Sequence, residues 1–396
     1  MDYSKKAECS VEPLFLIVCL GIQLLRIKMK NHQLPQKVKL DRFKRRIASK
    51  KIKKSNYFDG TRKLSYTGVV RKSPWKAKKQ TPYIEVLAPE IIDFYKPKHF
   101  ERSNHFIKEL QKKIKSTYKS RNQTIKICFR NTKYITAAAA INLFSETSRS
   151  VRKYPGLKYS VSSAPKVKIK DVSVPLVESV LNRLGFYELL GLKKRSMKEI
   201  QSVRCWHQAN GTLADGALAG RVIKELEKFG VEKSVLYRSS VEAISNAVEH
   251  GYDKNIKSNA DISDKTWWMF AAVLENKLTI LVADLGHGIP NTLEKTQDSS
   301  ILDEVWGMLG IKATKDCELI HASTLVKKTQ TMKSNRGKGG KDLTTLVDLY
   351  PKSSLTIFSN RGIYRYHGKG QRRQGVSYDN KTPINGTIVE WSIPLS

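Results

Sequence analysis

Residues 237–253 read YRSSVEAISNAVEHGYD, and the fold turns on how this stretch is understood. Val241, Ile244, Ala247 and Val248 fall on one stripe of a helix. Glu242, Asn246 and His250 stand four apart and line a second stripe of the same helix. A carboxylate, an amide and an imidazole in file are neither the charge pairs of a solvated surface nor the apolar set of a core. Alone they leave two readings open: an amphipathic helix with idle polar residues, or a helix that lines a site.

Two later stretches bear on that choice. The strand-like run KLTILV, residues 277–282, leads into ADLGHGIP, residues 283–290, in which Asp284 ends a strand and Gly286 and Gly288 loosen the turn. SNRGKGGKDLTTLVDLY, residues 334–350, is a Gly-rich turn opening directly into a predicted helix. Glycines ahead of a helix N-terminus let bare backbone N–H groups approach an anion. The order carboxylate–amide helix, D-x-G-x-G, Gly-rich turn resembles the Bergerat-type nucleotide fold of the GHKL superfamily. The form E-A-x-x-N-A-x-x-H-G-Y, Glu242 to Tyr252, is most similar to its anti-sigma-factor serine kinase branch. NGTIVEWSIPL, residues 385–395, resembles the closing strand of that fold. The likeness covers roughly residues 210–396.

That resemblance implies an α/β chain whose C-terminal part, 201–396, is a Bergerat-type sandwich: a mixed sheet covered by helices on one face. It implies ATP and magnesium. Asn246 would be the Mg ligand, and Glu242 would orient or deprotonate the attacking water or hydroxyl. Asp284 would accept from the adenine amino group, with Gly286, Gly288 and Ile289 forming the turn beneath the base and Thr387 helping to hold it. Arg336, Gly337, Lys338, Gly339 and Gly340 would supply N–H groups and charge to the phosphates. The hydrophobic residue usual after the second glycine of that loop is here Gly340, followed by Lys341 and Asp342. This departure bears on how a lid would move and on turnover. His250 reads either as a cap of the helix end or as part of the site.

The chain has 396 residues, 40% of them hydrophobic, so two or three domains with real cores are expected. The formal net charge of +36 is uneven: the first 133 residues hold 34 Lys and Arg against 10 Asp and Glu. Such a field favours polyanions, either nucleic acid or an anionic membrane. Five cysteines (Cys9, Cys19, Cys128, Cys205, Cys317) show neither C-x-x-C nor a His at ligand spacing, which reads as free thiols in a reducing cytoplasm.

The apolar run PLFLIVCLGIQLL, residues 13–25, falls short of the ~20 residues that span a bilayer, so a membrane anchor is not expected. Initiation at Met1 and at Met29 are both open. Residues 1–80 form a basic arm, expected to be partly disordered, in which Tyr57, Phe58, Tyr66 and Trp75 interleave with cations, a mix suited to phosphate contact and base stacking. Residues 81–200 then show a βαβα rhythm: strands at 125–129 and 157–161, helices at 100–118, 137–151 and 174–184. ICFRNTKYITAAAAI and LNRLGFYELLG weakly resemble the STAS domain of anti-anti-sigma factors. Thr136, Ala137 and Ala138 stand where that family has Asp-Ser-Ser, so the usual phosphoacceptor serine is missing. His207, in strand-like text, reads as structural. Residues 291–335 are weakly patterned, and the superfamily places its mobile lid there.

Two functions follow from the resemblance. One is a phosphotransferase or hydrolase acting with a protein partner. The other is an ATP-operated switch whose basic arm holds nucleic acid. A scaffold that keeps only the fold is a third, disfavoured by the intact Glu242 and Asn246. No dimerising helix with a phosphoacceptor histidine precedes the motifs, which sets sensor histidine kinases aside.

Overall fold

A computed structural model describes residues 82–120, 123–169, 172–195, 203–258, 260–274, 277–310, 312–326, 341–368 and 377–395. The basic arm, the apolar run 13–25, Cys9, Cys19 and the Gly-rich turn 336–340 lie outside them. So do the side chains of Cys205 and His207.

The first part of the chain alternates strand and helix. In order come β1 (Tyr83–Leu87), β2 (Ile91–Ile92), α1 (Pro97–Ser120), β3 (Thr124–Cys128), β4 (Tyr134–Ile135), α2 (Ala137–Lys153) and β5 (Lys158–Ser162). A short antiparallel pair follows, β6 (Val167–Ile169) with β7 (Val172–Val174), then α3 (Leu176–Arg183) and α4 (Phe186–Leu189). Helical crossovers return the chain in the same direction, so β1, β3 and β5 pair in parallel in that order. In α1, Phe100, Ile107, Leu110 and Ile114 recur at helical spacing and are buried, while its lysines stay outside.

The second part continues with β8 (Val203–Gly211), α5 (Gly216–Lys224), α6 (Lys233–Glu249), β9 (Trp267–Leu274) and β10 (Lys277–Asp284). Then come α7 (Ile289–Thr296), α8 (Ser299–Leu309), α9 (Asp316–Leu325), α10 (Lys341–Leu349), β11 (Ser354–Ser359), β12 (Gly362–Tyr366), β13 (Tyr378–Asp379) and β14 (Thr387–Pro394). Seven of these strands form one sheet in the order β13-β12-β11-β14-β10-β9-β8. The closing strand β14 is central in it. Every pairing is antiparallel, which corrects the mixed sheet expected from sequence. The reason is local: β9 with β10 and β11 with β12 are tight hairpins, and β14 enters between the two pairs running opposite to both.

Successive side chains of these strands go to different cores. Trp267, Met269, Ala271 and Val273, with Leu278, Ile280 and Val282, pack beneath α5, α6 and α10. Trp268, Phe270, Leu281 and Ala283, with Phe358 and Ile388, join the buried residues of β1–β5 and α2. Phe144 of α2 meets Phe270 edge-on, ring centroids 5.7 Å apart. Tyr95 donates to Glu390 Oε2 of β14 at 2.5 Å. The sheet is therefore covered on both faces, not on one, and residues 81–200 and 201–396, expected as separate domains, share a core within one compact unit. Burying a large side chain such as Phe270 or Phe358 stabilises by about 1.5–3 kcal/mol, so this shared core contributes substantially.

The interval 291–335, expected as weakly patterned text, is largely helical up to Val326. Helices α7, α8 and α9 enclose a small core of Leu293, Leu302, Val305, Ala322 and Val326. Cys128 and Cys317 are buried free thiols, and burial first of all pushes the Cys317 thiol up to about 12. Among the described residues no helix is long and apolar enough to cross a membrane.

Candidate functional site

Between α6, the end of β10, α7, the end of α9 and the start of α10 lies a cleft of about 830 Å³, counting its open mouth. Six residues singled out in the sequence line it: Glu242, Asn246, Asp284, Gly288, Ile289 and Thr387. His250 lines it too. Its backbone N–H also donates to the carbonyls of Asn246 and Ala247, so the helix cap and the cleft wall are one residue. Gly286 is not in the wall but behind it. Arg336, Gly337, Lys338, Gly339 and Gly340 fall outside the described residues, while Val326 and Leu343, on either side of that segment, both line the cleft.

Asp284 is the most constrained group. It ends β10 with only 6% exposure, and its Oδ1 accepts from the Gly286 N–H at 2.8 Å. Burial raises its pKa to about 7, outweighing the backbone N–H bonds from Gly286 and Thr387 that favour the carboxylate. Two glycines make room for it. A Cβ on Gly286 would sit 1.9 Å from the Gly251 carbonyl oxygen, which accepts the His287 N–H at 2.7 Å. Gly386 has φ +66°, and a Cβ there would sit 2.2 Å from the Asp284 carbonyl oxygen. The loop after α6 is thereby pressed against the D-x-G-x-G turn.

Hydrogen bonds fix the same turn from several sides. The Tyr252 hydroxyl donates to the Thr266 carbonyl at 2.6 Å and accepts the Leu285 N–H at 3.0 Å. His287 is buried, its Nε2 2.7 Å from the Asp253 carbonyl and its Nδ1 2.6 Å from Ser258 Oγ. A carbonyl only accepts, so Nε2 carries a proton. Ser359 Oγ accepts the Ile289 N–H at 2.9 Å, reaches the Gly386 carbonyl at 3.1 Å and lies 2.9 Å from Thr387 Oγ1. That serine positions both Ile289 and Thr387, and no motif in the sequence marks it.

On the helical side, Asn246 Nδ2 donates to Glu242 Oε1 at 3.2 Å, one turn apart as the spacing requires. This leaves the Asn246 Oδ1 as an acceptor. Glu242 is 6% exposed, and burial raises its pKa, with Asp342 and Glu249 adding like charge and the Asn246 bond pulling the other way. Burial lowers the His250 pKa and favours the neutral ring.

The remaining wall comes from residues the sequence reading did not single out: Thr292, Leu293 and Gln297 after the turn, Ser323 and Val326 at α9, Leu343 of α10 and Val389 of β14. The signal for α7 was present, since proline at the second position of IPNTLEKT suits a helix start. A mostly apolar cleft with a few fixed polar groups is the usual form of a small-ligand site. This one offers a buried carboxylate that titrates near neutrality, a second carboxylate with a raised pKa, and a carboxamide between solvent and cleft. No protein-family model matches the chain, and no curated protein matches it.

Proposed function

We propose that the cleft binds an adenine nucleotide with magnesium, and that the chain hydrolyses ATP or passes its terminal phosphoryl group to a protein partner. One observation carries this reading. The Glu242–Asn246 pair, Asp284 and Thr387, three sites distant in sequence that match the Bergerat-type GHKL pattern, line a single cleft. The likeness of 81–200 to a STAS layer belongs to the same proposal.

The residues present fit the ligands. A carboxylate buried against apolar walls suits the exocyclic amino group of adenine, and Ile289, Leu293 and Val389 supply flat apolar contact. Among the described residues no cluster of three His, Cys, Asp or Glu could hold a metal ion. Magnesium needs none, since it keeps waters and is commonly held by one or two protein oxygens plus substrate phosphates. Asn246 Oδ1 is such an oxygen. When bound, the metal would offset phosphate charge. Glu242, whose pKa burial raises, stands one turn earlier on the same helix face, where it would take a proton from the attacking water or hydroxyl. By the same resemblance, residues 336–340, which lie outside the described residues, would give N–H groups and charge to the phosphates.

The test is to incubate the purified protein with γ-labelled ATP, alone and with lysate of its host. Labelled inorganic phosphate, or label transferred to a protein, is expected. Intact ATP in both incubations, at protein concentrations above those of nucleotide, would contradict the catalytic half of the proposal.

A further inference from the structure

Glu146 and Arg149 of α2 are buried, 2% and 7% exposed, at the face of the seven-stranded sheet opposite α6. Neither lines the cleft. Arg149 Nη2 donates to Glu146 Oε2 at 2.6 Å. Its Nη1 is turned to backbone instead, donating to the carbonyls of Leu285 at 3.3 Å and Asp261 at 3.4 Å. The other carboxylate oxygen of Glu146 accepts from Asn385 Nδ2 at 2.6 Å, and Gln111 Nε2 donates to Oε2.

The two backbone segments so held are the ones that frame Asp284. Leu285 follows it directly. Asn385 precedes Gly386 and Thr387, and the Thr387 N–H bonds the Asp284 carboxylate while Gly386 packs on its carbonyl. A buried ion pair is a poor source of stability compared with apolar residues of the same size. Here its spare donor and spare acceptor are spent on the two strand ends flanking one functional carboxylate. We propose that Glu146 and Arg149 are positioning residues that clamp the Asp284 turn from behind, so that the docking of α2 sets ligand affinity in the cleft. The proposal rests on the adenine-nucleotide reading of that cleft. Coupling of this kind is reciprocal: ligand in the cleft must also tighten α2 on the sheet.

The variant Glu146→Gln/Arg149→Met removes both charges together and keeps the volume, so the fold is not left with an unpaired buried ion. MgATP affinity should fall on the order of tenfold, within the usual range of coupling between sites. Hydrogen exchange should accelerate at residues 283–288 and 385–388 and stay unchanged in the first turns of α6, a local pattern that general loosening would not give. Asn385→Ala, which deletes only the link to Glu146, should weaken binding severalfold. In the wild-type protein, saturating MgATP should slow exchange along α2, a helix that does not touch the cleft. Wild-type affinity in both variants, or no nucleotide protection of α2, would overturn the proposal. Were the double variant not to fold, Asn385→Ala and the wild-type exchange decide it. A wild-type protein that binds no MgATP would instead retire the nucleotide reading, which separates the two failures.

Discussion

Asp284→Asn should change stability in a way that depends on pH, and the structure gives both sign and size. The carboxyl has its folded-state pKa raised from 3.8 to about 7, chiefly by burial. Its contribution to stability is therefore fully present below 3.8 and is lost as pH rises through about 7. Each pH unit of that window is worth about 1.4 kcal/mol, so the wild type gives up about 4 kcal/mol across it. About 2 kcal/mol of this falls between pH 5.5 and 7. Asparagine has no such titration. Its carbonyl can accept the Gly286 N–H, but the NH₂ that replaces the second oxygen accepts nothing, a change costing at most about 1–3 kcal/mol at every pH. The difference in unfolding free energy, variant minus wild type, should therefore rise by about 2 kcal/mol from pH 5.5 to 8.5, leaving the variant the more stable protein at alkaline pH. Urea unfolding of both proteins at a series of pH values measures it directly. A difference that stays flat across that range would mean that Asp284 is ionised throughout and that its burial does not raise its pKa.

The remaining predictions concern the cleft and the arm. Asn246→Ala should weaken MgATP binding, whereas Glu242→Gln should bind normally and lose about 10²–10⁴-fold in turnover; equal turnover in Glu242→Gln and wild type would leave α6 as a platform only. Adenine-nucleotide affinity should fall severalfold as pH drops below about 7 and then level off, because protonating the Asp284 carboxyl replaces a charged acceptor by a weaker neutral one. Calorimetric affinities independent of pH between 5.5 and 8 would count against that role. Deleting residues 1–80 should abolish salt-sensitive, sequence-independent nucleic-acid binding, which with six to ten phosphate contacts weakens about 10³–10⁵-fold between 50 and 200 mM salt. Undiminished binding by the truncated protein would sink that proposal.

What could be read in the sequence follows from how local each signal is. Glu242, Asn246 and His250 share a helix face by spacing alone, and α6 bears that out. Asp284 at the end of β10 was legible because an apolar strand stops at an acid and two glycines. The pressure of Gly251 and Gly386 on the Asp284 turn was not, since it depends on segments far apart in the chain. Helices α7 to α9 escaped because each is short and their common core holds only a handful of side chains. The second covered face of the sheet had a signal that was passed over. A hairpin with one solvated face alternates apolar and polar residues, but WWMFAAV in β9 is apolar without interruption. Such a run asks for a core on each side, and the upstream layer provides the second. Ser359 could not have been found, as one serine in a strand carries no mark of what its hydroxyl will hold.

We propose above that the cleft between α6 and the Asp284 turn is a magnesium–adenine nucleotide site. Titrating the purified protein with ATP in an isothermal calorimeter, with magnesium and again with excess chelator, tests it most directly. The expected result is saturable binding of one nucleotide per chain that weakens on removing magnesium, that GTP does not reproduce, and that Asp284→Asn weakens about tenfold through the loss of a charge-assisted hydrogen bond. No heat of binding with magnesium present, confirmed by the absence of any ATP-induced rise in thermal midpoint, would contradict it.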